Sequence, residues 1–288
     1  MFESITRYDC AIIGSGPAGL SAALTLKALS KSFIWFGSGK LSEKIRKAER
    51  ISNFPGLSNV SGKEMADAFL NQMQEAGLTL MEKTVTTVCH MGDYYGILCD
   101  QELFEATTVI LTTGVESVKP IPGELELLGA GVSYCATCDG MLYKGKTIAV
   151  VSTSAEYEHE VSYLADLADM VYFIPLYRGA SLERDNVQRL TQIPREVVGA
   201  SRVEALKFDE QCMAVDGVFF LKAAVSPSAL VMGLQTDNGH VIVDRSCATN
   251  LPGLFAAGDC TGRPYQYVKA AGEGNVAAHS VVRYLSEQ

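Results

Sequence analysis

The feature that most restricts this chain is Gly14-Ser15-Gly16-Pro17-Ala18-Gly19, set directly behind the apolar run Tyr8-Asp9-Cys10-Ala11-Ile12-Ile13. A stretch rich in Ala and Leu follows, and then a second apolar run over 32–36. Strand, glycine turn, helix and strand in that order form a βαβ unit, which commits the N-terminal part to a parallel sheet. Gly14-x-Gly16-x-x-Gly19 turns the chain tightly, lets a pyrophosphate touch backbone N–H groups, and aims a helix N-terminus at its charge. A glycine-rich turn of no special purpose is the plainer alternative. The acid expected at the end of the second strand is missing, because Phe36 leads into Gly37-Ser38.

The remaining pattern predicts two domains. Residues 63–77 read as a helix, and short β-rich runs over 83–113 end in Val109–Thr113 and Gly114. Glu116–Gly123, carrying Pro120 and Pro122, reads as a linker. A second strand–helix unit begins at Lys146, with a strand over Thr147–Val151 and a helix over Glu156–Ala168. Further strands are expected at 170–174, 196–207 and 213–215, after which the apolar run Val218–Leu221 is expected to rejoin the first domain. The last strand, Gly253–Ala257, meets Gly258-Asp259, and a final helix spans about 268–285. The domain expectation is therefore 1–114 and 217–288 as one body, with 115–216 inserted.

Composition narrows the function classes. With 48% hydrophobic and 20% charged residues the chain is globular. Its 33 acidic against 24 basic residues, a net charge of −9, argue against a nucleic-acid partner. No apolar stretch approaches the roughly 18 residues of a membrane span, and no basic segment precedes the first apolar run. Eight cysteines in 288 residues are too dilute for a disulfide scaffold, so the expected compartment is the reducing cytoplasm.

Two further segments carry chemistry. Thr249–Asp259 is a buried strand ending in Gly258-Asp259, which places one carboxylate where backbone comes close to a ligand. Asp259 suits the hydroxyls of a polyol such as the ribityl chain of FAD, and the helix near Ala271-Gly272-Glu273 adds a helix N-terminus; a capping Asp in a turn is the alternative. Cys135-Ala136-Thr137-Cys138-Asp139 sets two cysteines three apart, close enough for a small disulfide suited to exchange, with Asp139 able to supply or remove a proton. Half a zinc site competes with that reading, but no second Cys-x-x-Cys or His pair completes it, so no metal is expected. Cys10, Cys89, Cys99, Cys212, Cys247 and Cys260 are scattered singly and read as buried thiols acting as small hydrophobes.

The glycine turn, Gly131–Gly140 and 249–259, collinear over nearly the whole chain, resemble low-molecular-weight thioredoxin reductases. That resemblance implies an α/β, two-domain Rossmann-like fold of the FAD/NAD(P)-linked reductase type, with three-layer ββα sandwiches. It also implies a homodimer with FAD held by the domain built from both chain ends. Cys138 would face the flavin, Cys135 would attack the disulfide of thioredoxin, and Asp139 would be the acid–base group. Implied cofactor contacts are Gly14, Gly16, Pro17, Ala18, Gly19, Asn53, Thr113, Gly114, Gly258, Asp259, Gln266, Tyr267, Val268 and Ala271.

The inserted domain departs from that pattern. The strand Thr147–Val151 runs into Ser152-Thr153-Ser154-Ala155-Glu156, where no glycine admits a pyrophosphate and Glu156 and Glu158 oppose its charge. After the next strand a single Arg178 stands where a basic cluster for the 2′-phosphate of NADPH belongs, and Lys222-Ala223-Ala224 replaces a glycine after 218–221. These losses resemble the ferredoxin-dependent flavin thioredoxin reductases, which dispense with NADPH. A ferredoxin at about −400 mV feeding thioredoxin at about −270 mV leaves about 130 mV, or roughly 6 kcal/mol for two electrons. Lys40, Lys44, Arg46, Lys47 and Arg50 form the basic run expected to dock an acidic ferredoxin, a solvated helix face being the alternative. An NADPH-dependent enzyme with an atypical nucleotide site, a diflavin oxidoreductase and a non-catalytic redox sensor remain open at this point.

Overall fold

The computed structural model describes residues 6–46, 48–99, 102–114, 120–134, 136–222 and 226–288, and leaves the side chains of Glu43, Lys44 and Cys138 undescribed. The chain starts with β1 (Arg7–Ile13), α1 (Pro17–Ala28), β2 (Phe33–Phe36), the short α2 (Glu43–Arg46), α3 (Gly62–Glu75), β3 (Val85–His90), β4 (Tyr95–Cys99) and β5 (Glu102–Leu111). It continues through β6 (Val132–Ser133), α4 (Ala136–Asp139), β7 (Thr147–Ser152), α5 (Glu158–Leu167), β8 (Met170–Pro175), β9 (Val187–Arg189), β10 (Glu196–Val198), β11 (Ala205–Lys207), β12 (Cys212–Ala214) and β13 (Gly217–Leu221). Then come α6 (Pro227–Leu230), β14 (Thr236–Asp237), β15 (His240–Val241), β16 (Leu254–Ala256) and α7 (Tyr267–Ser286). Contacts divide these elements into two compact units: Met1–Val115 with Ser226–Gln288, and Glu116–Val225.

The first unit is built on a sheet of order β2-β1-β5-β4-β3, with β16 also parallel to β5. Strands β1 and β5 are fully buried at their carboxyl ends, over Cys10–Ile13 and Val109–Leu111, so these stretches read as continuous apolar runs rather than alternating ones. α1 and α7 cross with almost no side chain between them. A Cβ on Gly274 would lie 2.1 Å from the Ala18 carbonyl oxygen, and Ala22, Ala23, Ala277 and Ala278 complete the small-residue seam. α3 is capped by Ser61, whose hydroxyl accepts from Glu64 N–H while the Glu64 carboxylate accepts from Ser61 N–H, a capping box that fixes its first turn.

The second unit is a three-layer sandwich. Its middle is the parallel sheet β6-β13-β7-β8-β9. Ala149, Val151, Val218 and Phe220 point to the face covered by the antiparallel strands β10-β11-β12. Ile148, Val150, Phe219 and Leu221, one residue out of phase, point to α5. The expected boundary after 216 is therefore corrected. β13 pairs with β6 and β7 and is buried at every position, so the apolar run Val218–Leu221 completes this unit rather than rejoining the first. The stretch 196–207, expected as one strand, is β10 and β11 folded back on each other, with the turn where Gly199 lies too close to Arg202 O to carry a side chain.

A buried ion pair joins the two ends of this unit. Lys222, just past β13, donates to Glu124 at 2.5 Å, and the two side chains are 4% and 1% exposed. The same carboxylate accepts from the Tyr134 hydroxyl at 2.6 Å and from Ile121 N–H at 3.0 Å. Among the described residues no helix is long and apolar enough to cross a membrane.

Candidate functional site

In the first unit the site begins with the glycine turn. Gly14 has φ +119°, and a Cβ there would lie 2.3 Å from Thr112 O; a Cβ on Gly19 would lie 2.0 Å from Gly14 O. Both glycines are therefore demanded by the protein's own backbone. Gly16 is different, because a Cβ there would meet nothing within 4 Å, so its smallness leaves an open approach to the first turn of α1. Pro17 opens that helix, no side chain caps it, and no acid sits in its first turn. The turn is held from beneath: Trp35 Nε1 donates to Gly14 O at 2.8 Å, and Gly14 N–H donates to Phe36 O at 2.9 Å. Ser15 Oγ accepts from Ser38 N–H and donates to Leu41 O, which ties the loop after β2 to the turn.

The remaining cofactor candidates come from distant segments. Thr113 and Gly114 follow β5, where Gly114 has φ +73° and open space at its Cβ position. Thr113 Oγ1 is buried without a hydrogen-bond partner, and a hydroxyl left in that state marks a place where a further group belongs. Gly258 and the half-buried Asp259 start the short turn that follows β16. Asn53 and Gln266, 213 residues apart, are joined by Asn53 Nδ2 donating to Gln266 Oε1 at 2.6 Å. A cavity of about 270 Å³ collects Asn53, Asp259, Gln266 and Tyr267 together with Ala48, Arg50, Ile51 and Tyr265. Val268 is exposed and Ala271 is half-buried, one turn apart on α7. A dinucleotide fits this donor set: backbone N–H groups for phosphates at the open turn, and an unpaired hydroxyl and a carboxylate for polar groups further on.

The pairing of Lys269 with Glu273 is not among the sequence expectations, although i,i+4 spacing on the last helix is a readable signal. The Lys269 ammonium donates to Gly258 O, Thr261 Oγ1 and Gly262 O at 2.8, 2.9 and 2.8 Å. Glu273 pairs with it at 3.1 Å and accepts from Gly258 N–H and Thr261 Oγ1. Together they fix the turn that carries Asp259.

The expected basic docking run is only partly brought together. Lys40 and Arg50 are exposed, and Arg50 borders the Asp259 cavity. Arg46 is paired with Asp67 at 3.3 Å, so its charge is partly answered within the protein. Lys47 and the side chain of Lys44 lie outside the described residues.

In the second unit the dithiol segment follows β6, at the carboxyl end of the parallel sheet. Cys135 and the side chain of Cys138 lie outside the described residues; the Cys138 backbone belongs to α4. Ser133, buried at the end of β6, donates its hydroxyl to Asp139 Oδ2 at 2.7 Å and so fixes one carboxylate oxygen. The segment packs on α5 through Gly140, whose Cβ position is 3.1 Å from Leu164 and Tyr163 atoms. Just beyond it Met141 and Leu142 are 59% and 66% exposed. Four of the remaining cysteines are buried as expected: Cys10, Cys99, Cys247 and Cys260. Burial pushes the Cys10 and Cys247 thiols up to about 12 and Cys260 to about 11. Cys89 and Cys212 are corrections, since both are exposed, on strands at the edges of their sheets.

The β7–α5 turn, at the same sheet end, is filled by the protein itself. Ser152 Oγ donates to Ser154 O, and the Ser154 hydroxyl accepts from Glu156 N–H. Glu158, in the first turn of α5, accepts from the Tyr177 hydroxyl at 2.7 Å and from Ser181 N–H and Oγ at 3.1 and 2.8 Å. The loop after β8 is thereby strapped to the helix N-terminus, with Glu156, Glu158 and Glu160 gathered where a phosphate would need positive charge.

The family model for pyridine nucleotide-disulphide oxidoreductases matches residues 8–155 and 177–274, leaving the stretch of α5 and β8 outside the match. A thioredoxin reductase of Helicobacter pylori (strain J99) is 35% identical over 308 residues, spanning 96% of this chain and 98% of that protein. A crystal structure of a ferredoxin-flavin thioredoxin reductase from Clostridium acetobutylicum is 44% identical, with a TM-score of 0.89, covering 98% of this chain and 99% of that one. The structure of a thioredoxin reductase from Gloeobacter violaceus is 27% identical, with a TM-score of 0.78 and coverage of 98% and 95%.

Proposed function

Because the chain belongs to the pyridine nucleotide-disulphide oxidoreductase family, we propose that it is an FAD-dependent thioredoxin reductase that takes its electrons from reduced ferredoxin. The observation that carries the choice of donor is the β7–α5 turn. It has neither a glycine nor a free helix N-terminus to offer a nicotinamide dinucleotide, and three glutamates stand in its place. The likeness to the ferredoxin-flavin enzyme of Clostridium acetobutylicum supports the same reading.

FAD held by the Gly14–Gly19 turn, Thr113 and Asp259 would supply the link between one-electron donation and the two-electron chemistry of the Cys135–Cys138 pair. One thioredoxin disulfide takes up two electrons and two protons, so each turnover consumes two reduced ferredoxins. Cys135 as thiolate attacks the thioredoxin disulfide, and Cys138 then displaces thioredoxin from the mixed disulfide as the internal disulfide forms. Asp139, held by Ser133 at 2.7 Å, takes the proton from the Cys138 thiol as it attacks and passes it to the departing thioredoxin thiolate. The exposed Met141 and Leu142 give a protein substrate an apolar contact beside that chemistry. The basic run Lys40, Lys44 and Lys47 supplies positive charge for docking ferredoxin, and Arg50, which lines the Asp259 cavity, adds to it. The enzyme works as a homodimer in the cytoplasm on this reading.

The test is anaerobic turnover of thioredoxin with either donor. Reduced ferredoxin should drive it and NADPH should not; bleaching of the flavin by NADPH, followed by thioredoxin reduction, refutes the choice of donor. Charge reversal at Lys40, Lys44 and Lys47 should slow ferredoxin-driven turnover while leaving dithionite-driven turnover unchanged. Sedimentation at working concentration checks the dimer.

A further inference from the structure

The acid that β2 lacks is brought to the same place by another segment. In a βαβ unit that holds a dinucleotide, a carboxylate at the end of the second strand accepts from the ribose hydroxyls. Here β2 ends in Phe36-Gly37-Ser38-Gly39 and offers none. Met81, however, pairs with Phe36 as a parallel bridge: its N–H donates to Trp35 O at 2.7 Å, and Gly37 N–H donates to its carbonyl at 3.1 Å. That pairing sets the next residue, Glu82, against the loop that follows β2, where its Oε2 accepts from Gly39 N–H at 3.1 Å. A Cβ on residue 39 would lie 2.5 Å from Glu82 Oε1, so the carboxylate occupies the volume that a side chain at 39 would fill. Lys83, one residue on, is anchored by an ion pair to Glu102, which holds the segment in register.

The other flank of the same strand end carries the glycine turn, through Gly14 N–H to Phe36 O. Strand end, glycine turn and carboxylate thus stand together, with the carboxylate supplied from outside the βαβ unit. We propose that Glu82 binds the adenosine ribose of FAD, accepting hydrogen bonds from its 2′ and 3′ hydroxyls. Gly39 belongs to the same arrangement: its N–H orients one carboxylate oxygen and its missing side chain leaves the room. Glu82 is exposed, so the hydroxyls reach it without displacing protein atoms. The proposal rests on FAD occupying the Gly14–Gly19 turn.

Equilibrium binding to the apo-protein tests it, with FAD and with FAD whose adenosine lacks the 2′ hydroxyl. Glu82→Ala should weaken FAD about tenfold to a hundredfold, the range for hydrogen bonds to a charged group. Glu82→Gln, which keeps an acceptor for Gly39 N–H, should fall between the two. The wild-type protein should prefer FAD over the deoxy form, and Glu82→Ala should lose that preference. FAD binding within twofold of wild type in Glu82→Ala overturns the proposal. So does an equal loss for both ligands, which would mark Glu82 as a brace for the loop rather than a ribose contact. A wild-type apo-protein that takes up no FAD would overturn the cofactor assignment and this proposal with it.

Discussion

Replacing Lys222 by Met should destabilise the second unit far more than an ordinary surface change. The pair it forms with Glu124 is almost fully buried, at 4% and 1% side-chain exposure. Met keeps the aliphatic stem beside the Tyr134 and Phe220 rings, which lie 5.0 and 5.6 Å from the ammonium, so little packing is lost. What remains is a buried carboxylate without a counter-charge, and removing one partner of such a pair costs about 3–5 kcal/mol. Tyr134 Oη and Ile121 N–H still donate to Glu124, which places the loss near the lower end, at about 3 kcal/mol. For a unit of this size each kcal/mol lowers Tm by roughly 3–5 °C, so calorimetry should show the corresponding transition falling by about 10–15 °C. The double variant K222M/E124Q removes both charges and keeps an acceptor for Tyr134, and should recover at least half of the loss. A single variant within about 1 kcal/mol of wild type, or a double variant no better than the single, would refute the assignment of a strongly coupled buried pair.

Other outcomes follow from the same geometry. Ser133→Ala frees one oxygen of Asp139, so thioredoxin turnover should fall about tenfold with FAD content unchanged; wild-type turnover would mean Asp139 is oriented without it. Under native conditions iodoacetamide should label Cys89 and Cys212 and spare Cys10, Cys99, Cys247 and Cys260, as peptide mass spectrometry would read; early labelling of Cys10 or Cys247 contradicts their burial. The Tyr177 hydroxyl, with help from Ser181, holds the Glu158 carboxyl below its ordinary range. A lowered folded-state value means the strap is in force above the unfolded value of about 4.3 and is lost as pH falls through the folded one. The protection of Ser181 N–H, its exchange rate taken against that of a free amide at the same pH, should therefore stay high at neutral pH and fall once pH drops below the ordinary carboxylate range, and Glu158→Gln should remove that dependence.

What could be read from sequence was whatever is enforced locally. Gly14 and Gly19 are glycines because backbone atoms two ångströms away forbid anything larger, and that requirement travels with the motif. The absence of a glycine after β7 is legible for the same reason. Pairings across the chain are not. Nothing in the run 218–221 says which sheet will receive it, since a strand buried on both faces looks alike in either unit. Glu82 has no local mark at all: its place depends on a single bridge between Met81 and Phe36. The same holds for Glu124 with Lys222, and for Asn53 with Gln266, whose partners are fixed only when the whole unit closes. Ser133 stood inside a recognised motif, but its part in holding Asp139 depends on α4 folding back after β6.

The bond from Trp35 to Gly14 has a practical side. The chain contains one tryptophan, so all of its indole emission comes from a side chain 1% exposed and hydrogen-bonded to the first glycine of the phosphate turn. Oxidised flavin absorbs in the range where indole emits. Loading, loss and exchange of the cofactor can then be followed by quenching of a single native fluorophore, in the unlabelled protein and in every variant that leaves Trp35 in place.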